Sequence, residues 1–566
     1  MHSIYHKASR WLLALLPALS LCVLAAPSEA DHREFDATLQ APYQGAQAGA
    51  ARTFTLAFAY ARAPTAQTVR WRLDLVAASG RVVRQWRGHS ALRRNSLSVT
   101  VRWDGRIQGT IAPAGIYRVR LHASARAAAS VASPFQSVVQ EWEIAVGRMA
   151  APTLPAFRAL PHARFDASMA SAPATLPYTV YLGNLHSQTA HSDGGGDLAH
   201  CTGAQEPQSA TLGPADAFQY AMQRGLDFLV ASEHNHMYDG SDGTNAAADP
   251  ALAKALFQSG LAAASSFNAA HPDFLGVYGL EWGVINHGGH LNIFNTDELL
   301  GWEVNASGQL IADTLTPKGD YGALYALMRQ RGWVGQFNHP ATSGQFLLGA
   351  VPFGYSADGD QAMALCEVLN TSAFSVNTAE TEQRRSTFEG ACNKALEAGY
   401  HVAFSTDQDN HCANWGASYT NRTGVLIANG TALTQASLIE AIKARRVFAT
   451  MDKGSQLVLT ANGHIMGERF INSGPLTLVT NFASSTGKTV STVRILEGVP
   501  ERNGSVSELS RTADTIITPA LGEHFYYAKL TQDDGNILWS APVWVTQVAP
   551  IDTIPVDSAE PAAPCE

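Results

Sequence analysis

Hydrophobic and polar residues alternate along both ends of the chain, and this pattern predicts strands there. Such runs recur through residues 31–147 and again through 455–548, punctuated by glycine, proline and asparagine. We therefore expect a β-sandwich in each region. The strand-like runs are 54–60, 69–76, 82–86, 97–103, 116–122 and 138–146 in the first region, and 457–460, 476–481, 492–496, 525–530 and 543–548 in the second.

The segments that flank these strands have patterns of their own. WDGR at 103–106, followed by AGIY at 114–117, resembles the last hairpin of immunoglobulin-like domains such as that of the flagellar hook-capping protein. The resemblance implies an immunoglobulin-like accessory β-sandwich over 31–147. Residues 148–177 are rich in alanine and proline, which predicts a linker. Residues 549–566 are rich in proline and acidic residues, which predicts a disordered tail.

Strand-like and helix-like segments alternate through residues 178–453, which we predict to form one domain. The predicted strands are 178–185, 226–232, 333–338, 401–406 and 447–450, and the predicted helices are 214–224, 321–331, 380–398 and 435–444. Gly225, Gly332 and Gly399 follow predicted helix ends, where glycine commonly terminates a helix. Repeated strand–loop–helix units of this kind predict a parallel α/β barrel.

Residues 1–30 are typical of a secretory signal peptide. Lys7 and Arg10 precede the apolar run 11–26, and residues 28–30 fit a small-x-small cleavage site that ends at Ala30. An uncleaved anchor is the alternative, but the run is short for a membrane span. We expect a periplasmic or secreted protein with no membrane span after cleavage.

Export changes what is expected of the cysteines, because disulfides form outside the cytoplasm. Of the 6 cysteines in the chain, Cys22 lies in the predicted signal peptide. The number that remains is odd, so at least one thiol is free or pairs between chains. We predict the pairs Cys201–Cys412 and Cys366–Cys392, with buried free thiols as the alternative.

The charge distribution limits the partners. The chain of 566 residues has a formal net charge of −9 and no block of lysine and arginine. It therefore lacks the electrostatic footprint of nucleic-acid or membrane-surface binding. A small phosphorylated substrate would need local positive charge, which a bound metal ion can supply.

Side chains that can bind metals follow the apolar strands of the central region repeatedly. They are His186, Gln188, Asp193, His234, His236, Glu281, His290, His339, Asp407, Asp409 and His411. One such residue alone is more often a hydrogen-bonded structural group. Because barrel strands end at a shared rim, however, the whole set should converge there. Burying it is costly unless divalent metal satisfies it, and the ligand types suit zinc, manganese or iron.

The order of these residues also resembles a known family. HSQT leads to SDG after the first strand, EH follows the second, and GH, NHP and DNH come later in the chain. In order and spacing, these motifs resemble the PHP (polymerase and histidinol phosphatase) superfamily over residues 180–450. TDQDNHCANWG at 406–416 and AIKARRVFAT at 441–450 resemble its exported members with flanking β domains.

The resemblance implies a distorted (β/α)7 TIM-like barrel with two or three divalent metal ions at its rim, flanked by N- and C-terminal β-sandwich domains. Carried over by motif, one ion would be held by His186, Glu281 and Asp409, a second by Glu281, His290 and His339, and a third by Asp193, His234 and His411. Gln188 departs from the family pattern, which has a second histidine there. An amide is a weaker, neutral ligand, so this departure weakens the position of the first ion.

The metals would determine the chemistry. A metal-activated water attacks the substrate while the ions neutralise charge on the ester oxygens. His236, His287 and Asp407 are candidates to move protons. Arg422 is either a bidentate phosphate clamp or a surface ion pair. We therefore expect an exported phosphoesterase that acts on a small phosphorylated substrate.

Two other functions stay open. The first is a PHP-type hydrolase of amides, carbamates or carboxyl esters, because the same activated water can attack a carbonyl. The second is a non-catalytic surface protein that uses the barrel as a binding scaffold, a role that flanking sandwiches would suit. The presence of nearly all the ligand types argues against this second alternative, since a decayed site should have lost several.

Overall fold

The computed structural model describes residues 35–44, 49–60, 67–92, 96–127, 136–162, 176–285, 288–341 and 345–550. The predicted signal peptide, His287 and residues 551–566 of the predicted tail lie outside these ranges. So do residues 163–175 of the predicted linker. Among the described residues, no helix combines the length and the apolar character that crossing a membrane requires.

The N-terminal region forms two facing antiparallel sheets. Its strands are β1 (Phe35–Gln40), β2 (Arg52–Tyr60), β3 (Gln67–Val76), β4 (Val82–Leu92), β5 (Ser96–Trp103), β6 (Arg106–Ile107), β7 (Thr110–Ile111), β8 (Gly115–Ala127) and β9 (Gln136–Val146). One sheet has the order β1-β2-β5 and the other β4-β3-β8-β9. Aromatic pairs join them, with Phe54 and Trp86 ring centroids 6.2 Å apart and those of Trp103 and Tyr117 6.3 Å apart.

The strands of the central region belong mainly to a single mixed sheet. They are β10 (Tyr178–Asn184), β11 (Phe228–His234), β12 (Leu275–Val284), β13 (Gly289–Ile293), β14 (Leu300–Gly301), β15 (Thr314–Leu315), β16 (Gly335–Phe337), β17 (Leu347–Leu348), β18 (Val351–Pro352), β19 (Met363–Thr371), β20 (Arg385–Thr387), β21 (Ala403–Asp407), β22 (Arg422–Ala428) and β23 (Val447–Thr450). β10, β11 and β12 pair in parallel, as do β16, β19 and β21. The expectation of a wholly parallel sheet was wrong, because β13 pairs antiparallel with both β12 and β16 and β22 pairs antiparallel with β10.

The helices follow the strands of this sheet. They are α1 (Pro214–Gln223), α2 (Pro250–Ala270), α3 (Tyr321–Arg331), α4 (Ala357–Ala362), α5 (Glu389–Ala398) and α6 (Gln435–Lys443). The caps explain their limits: the Asp320 side chain accepts a hydrogen bond from the Ala323 amide at the start of α3, and Gly332 ends that helix at a φ of 72°. The predicted helix 380–398 was too long, because β20 pairs with β19 and α5 begins only at Glu389.

The C-terminal strands extend the central sheet. They are β24 (Ser455–Ala461), β25 (His464–Ile465), β26 (Arg469–Ser473), β27 (Leu476–Ser484), β28 (Val490–Gly498), β29 (Ser507–Ser510), β30 (Asp514–Ile517), β31 (Gly522–Gln532), β32 (Ile537–Ser540) and β33 (Val543–Val548). A second sheet has the order β25-β24-β27-β30. β32 pairs antiparallel with β23, so backbone hydrogen bonds join the C-terminal region to the central one.

Both predicted disulfides are confirmed. Cys201 and Cys412 join two loops whose cysteines are 211 residues apart in sequence, and Cys366 and Cys392 join β19 to α5 across 26 residues. All four sulfurs belong to buried residues. The alternative of buried free thiols is therefore wrong for these four cysteines.

Candidate metal centre

The strands bring the predicted ligands to one edge of the central sheet. His186 follows the end of β10, and His234 is the last residue of β11. His234 pairs in register with Glu281 on β12, and His290 lies on the neighbouring strand β13. All four residues have exposures of 0%. Strand register therefore fixes the spacing of His234, Glu281 and His290 before any loop contributes.

The Glu281 carboxylate lies at the middle of this cluster. Its Oε2 is 2.9 Å from His186 Nε2, while its Oε1 is 3.0 Å from His290 Nδ1 and 3.4 Å from His339 Nε2. The side-chain nitrogen Nδ2 of Asn338 donates a hydrogen bond to Glu281 Oε1 at 2.8 Å. One carboxylate thus contacts imidazoles through both of its oxygens, which is the arrangement needed to bridge two cations.

A second group of side chains lies beside the first. Asp193 Oδ1 is 3.4 Å from His411 Nε2 and 3.7 Å from His234 Nε2. His234 Nδ1 is also 3.7 Å from Glu281 Oε2. Because its two ring nitrogens face different carboxylates, His234 connects the two groups.

The contacts divide the ligands somewhat differently from the sets implied by the family. The three groups whose ligand atoms all lie within 4.8 Å of one another are His186–Glu281–His339, His234–Glu281–His290 and Asp193–His234–His411. The last set is the third one implied by the resemblance. Asp409 Oδ1 is 3.1 Å from His186 Nε2 and 3.7 Å from His411 Nδ1. Asp409 therefore lies between the group that contains His186 and the group that contains His411.

The electrostatics of the cluster favour bound positive charge. Burial alone would raise the pKa of Glu281, but the neighbouring His186, His290 and His234 lower it well below its usual range. Burial would conversely lower the pKa of His186, yet Asp409 and Glu281 raise it well above its usual range. The Glu281 carboxylate therefore favours positive charge among the imidazoles, whether it comes from protons or from metal.

Gln188, the departure from the family pattern, lies inside the cluster. Its Nε2 donates a hydrogen bond to Glu281 Oε2. Its Oε1 is buried and accepts no hydrogen bond from the part of the chain that the structure describes. A buried carbonyl oxygen without a donor is costly, and a cation would satisfy it.

Asp407, predicted to move protons, is held by its own hydrogen bonds. It accepts from the Leu185 amide at 2.6 Å and from Gln336 Nε2 at 3.1 Å. Burial and the nearby Glu367 raise its pKa to about 7. These contacts anchor the end of β10, from which His186 projects.

Two buried carboxylates were missed by the sequence analysis. Glu367 Oε1 is 3.4 Å from His186 Nδ1, and its Oε2 accepts from the His339 amide. Glu233 accepts from Thr189 and Ser192, and burial raises its pKa to about 7. The available signal for Glu367 was its position inside the apolar strand LCEVL, where an unpaired charge would be too costly.

His236 lies next to the ligands. Its ring is 5.8 Å from that of His234 and stacks on Trp302 at 5.9 Å. His236 Nε2 is 3.8 Å from Asp242 Oδ1, and Lys318 Nζ lies 5.7 Å from the Trp302 ring centroid. This stack of imidazole, indole and ammonium combines a group able to carry protons with a positive charge beside the cluster.

Arg422 has contacts that differ from both sequence-based alternatives. Its side chain is only 2% exposed, and its Nη2 is 2.7 Å from Glu380 Oε1. Its Nη1 donates to the carbonyls of Tyr419 and Asn421 at 3.0 and 2.8 Å. The ion pair is therefore buried on the arginine side. The role of phosphate clamp stays a prediction, which these contacts do not favour because a phosphate would have to displace them.

Comparisons with known proteins identify no relative. No family model matches the chain, and no curated protein matches it. Among solved structures, it is similar to ApaA from Bordetella pertussis, at 14% identity over 21% of this chain and 98% of that chain, with a TM-score of 0.15. It is also similar to Bacteroides uniformis β-glucuronidase 2, at 10% identity over 91% of this chain and 61% of that chain, with a TM-score of 0.15. The chain therefore spans 61% of the length of that glucuronidase, and at such scores the similarities carry no argument about fold or function.

Proposed function

We propose that this protein is an exported metal-dependent hydrolase of the PHP type, and that it cleaves phosphate esters. One observation carries the proposal: buried Glu281 contacts imidazoles through both carboxylate oxygens, beside a second group of Asp193, His234 and His411. Carboxylates and imidazoles that share one buried cleft are the usual donors for zinc, manganese and iron.

Hydrogen bonds between β21 and β22 support a distorted (β/α)7 barrel. β21 pairs with β19 near one end of the sheet order, while β22 lies further along, beyond β10. The Thr406 amide on β21 nevertheless donates to Thr423 Oγ1 on β22 at 3.0 Å, and Thr423 Oγ1 donates to the Thr406 carbonyl at 3.0 Å. These side-chain bonds bring β21 against β22, as closure of a sheet on itself requires.

The residues present fit the implied ions. All the donors except the partly exposed His339 are buried, and the carbonyl oxygen of Gln188 lacks a hydrogen-bond donor among the described residues. His186, Glu281 and His339 would hold one ion, His234, Glu281 and His290 another, and Asp193, His234 and His411 a third. When bound, such ions supply electrophilic activation of the ester and a nucleophile at neutral pH.

The chain itself positions these donors and surrounds them with polar groups. Asn338 donates to Glu281 Oε1 and Glu367 contacts His186 Nδ1, so both orient groups of the cluster. His236 would donate a proton to the leaving-group oxygen, and Asp242, whose Oδ1 is 3.8 Å from His236 Nε2, would orient the imidazole.

A phosphate ester is favoured over a carbonyl substrate by the Lys318 ammonium, which is connected to the cluster through Trp302 and His236. Lys318 lies over Trp302, which stacks on His236. An anionic substrate gains from this ammonium as well as from bound ions, whereas a neutral amide gains from the ions alone. Amide and carboxyl-ester hydrolysis share the ligand set and are outcomes of the test.

Metal content and a substrate screen test the proposal together. The mature protein, purified without chelator, should hold about two or three equivalents of zinc, manganese or iron by mass spectrometry. The Asp409→Ala, His411→Ala variant should lose metal and activity. His524→Ala with Glu497→Ala removes another histidine–carboxylate pair, whose Nδ1 and Oε1 are 2.9 Å apart, and should lose neither.

The screen compares phosphomonoesters, phosphodiesters and amides. Phosphoester cleavage that depends on added metal is the expected result. Metal binding with cleavage of amides alone would replace phosphoester hydrolysis by the carbonyl alternative. Less than about half an equivalent of metal, unchanged in the variant and not restored by added ion, would overturn the hydrolase proposal.

A further inference from the structure

Two loops without helix or strand carry Asp193, Asp409 and His411. The first, residues 185–213, connects β10 to α1 and contains Asp193. The second, residues 408–421, connects β21 to β22 and contains Asp409 and His411. Loops of such length seldom hold a side chain in place unless other contacts constrain them.

Asp193 lies in an especially unconstrained sequence. Three glycines, Gly194 to Gly196, follow it, and Gly195 has a φ of +75°. Glycine gives up more conformational entropy on ordering than any other residue, so this segment resists being fixed. The Asp193 carboxylate is nevertheless buried against His411 and His234. Contacts outside the glycine segment hold it there: the Gln205 amide donates to the Asp193 carbonyl at 2.8 Å, the Ser192 hydroxyl donates to Glu233, and the second loop packs against the glycines.

The contacts between the two loops end at a disulfide. The Gly196 amide donates to the His411 carbonyl at 3.1 Å, and the Ala413 amide donates to the Gly196 carbonyl at 2.9 Å. Between His411 and Ala413 lies Cys412, which is bonded to Cys201 of the first loop. A side chain at Gly196 would come within 2.9 Å of the Cys201 sulfur, so the glycine segment packs directly against the disulfide.

We infer that the Cys201–Cys412 disulfide is a positioning element of the metal centre, which holds Asp193 against His411 and so determines whether the Asp193–His234–His411 group binds its ion. The inference rests on the proposed function, because it assumes that this group binds metal. By covalently joining the residue next to His411 to the loop that carries Asp193, the disulfide fixes two of the three ligands relative to each other. The third, His234, is fixed by strand β11.

The second disulfide provides a matched control. Cys366–Cys392 is also buried, and it fastens α5 to β19 rather than one ligand loop to another. Cys366 precedes Glu367, but pairing of β19 with β16 and β21 holds that residue independently of the disulfide. Both disulfides should stabilise the fold by restricting the unfolded chain, and the longer 211-residue span predicts the larger effect on stability. Stability is therefore a poor measure of positioning, whereas the number of ions retained measures it directly.

The experiment compares metal equivalents per folded protein, by mass spectrometry, across four variants. Cys201→Ala with Cys412→Ala and Asp193→Ala alone should each bind one equivalent fewer than the wild type. All three substitutions together should lose no more, because they remove the same ion. Cys366→Ala with Cys392→Ala should retain the wild-type number. A full complement in Cys201→Ala with Cys412→Ala would overturn the inference, and so would equal losses in both disulfide variants.

A second measurement covers the case in which the cysteine variants do not fold. If the disulfide favours the ion, the ion must equally favour the disulfide. Zinc-loaded wild-type protein should therefore be reduced more slowly at Cys201–Cys412 than chelator-treated protein, as followed by alkylation and peptide mass spectrometry, with Cys366–Cys392 as the internal reference. An unchanged ratio of the two rates would overturn the inference. Failure of the wild type to bind any metal would instead overturn the proposed function, and this outcome is distinguished by the wild-type metal count alone.

Discussion

The two sides of the candidate metal centre are built in different ways. Glu281 and His290 lie on paired strands and contact each other at 3.0 Å, so hydrogen-bonded register sets their separation. Asp193 and His411 lie on loops that are distant in sequence and meet at 3.4 Å. The strand side needs only correct pairing of the sheet, whereas the loop side needs a cross-link. The strand side depends on a single carboxylate, that of Glu281.

Of the substitutions that test this difference, Glu281→Gln should have the largest effect on metal binding and activity. The substitution keeps the size of the side chain but removes the charge that faces His186, His290 and His339. We expect loss of the ions on the strand side and a fall in activity of more than about 100-fold, beyond what losing an outer partner costs. Metal counting and initial rates measure both.

The control for that variant is Glu389→Gln. It removes a partly buried carboxylate, which pairs with Lys529 at 2.5 Å, outside the ligand groups. It should keep the wild-type metal count. Full metal content in Glu281→Gln would show that the strand side does not depend on this carboxylate.

Glu367→Gln should have an intermediate effect. Its carboxylate contacts His186 Nδ1 and the His339 amide, so it orients two ligands without belonging to any of the three ligand groups. We expect metal affinity to weaken by about 10- to 100-fold, the usual cost of losing such a partner. Competition with a fluorescent chelator measures this. An unaltered affinity would mean that the ends of β10 and β16 hold these two ligands without help from Glu367.

Gln188→His should strengthen metal binding on the strand side, whereas the two preceding substitutions should weaken it. Gln188 donates to Glu281 Oε2, so an imidazole at this position would add a nitrogen ligand where there is now an amide. We expect metal to be retained more tightly, by up to about 10-fold. The same chelator competition gives the result. Weaker retention would indicate that the Gln188 hydrogen bond matters more than an added ligand.

His401→Gln should leave the metal centre unaffected and change only the pH dependence of stability. Burial lowers the pKa of His401, but hydrogen bonds to Asp360 and Glu523 outweigh this and raise it above its ordinary value. A raised folded-state pKa means that this stabilisation is present below the unfolded-state pKa and is lost as pH rises through the folded-state pKa. The wild type should therefore be the more stable protein in acid, and the difference should shrink in alkali. Thermal melts across pH, with metal counts unchanged, check this; a pH-independent difference would contradict it.

The ligands on the strand side could be located from the hydrophobic pattern, whereas on the loop side the family resemblance gave the whole group of Asp193, His234 and His411. His186, His234 and His339 each follow an apolar run, so the ends of the strands could be located from the hydrophobic pattern. Glu367 was missed because it lies within a strand rather than at its end. The way the ligands divide into groups depends on side-chain directions, which strand positions alone do not determine.

Parts of the fold were missed for similar physical reasons. α2 lacks a clear polar face, although Asp249 caps it and Pro250 begins it, signals that were available in the sequence. The short strand β20 interrupts a segment whose composition favours a helix, and only its pairing with β19 reveals it. The pairing of β23 with β32 joins residues 448–450 to 538–540, and no local pattern predicts so distant a partner.

That last pairing has a consequence for any shortened form of the molecule. A chain cut after residue 454 would keep all the ligands but would leave β23 with one bare edge. Unpaired backbone groups on a buried, apolar strand such as VFAT are a template for aggregation. During synthesis, this edge must also wait for the last hundred residues or so to emerge before it is covered. The C-terminal region therefore covers the exposed edge of β23. A shortened fragment that keeps only the ligands would need a substitute edge strand to remain in solution.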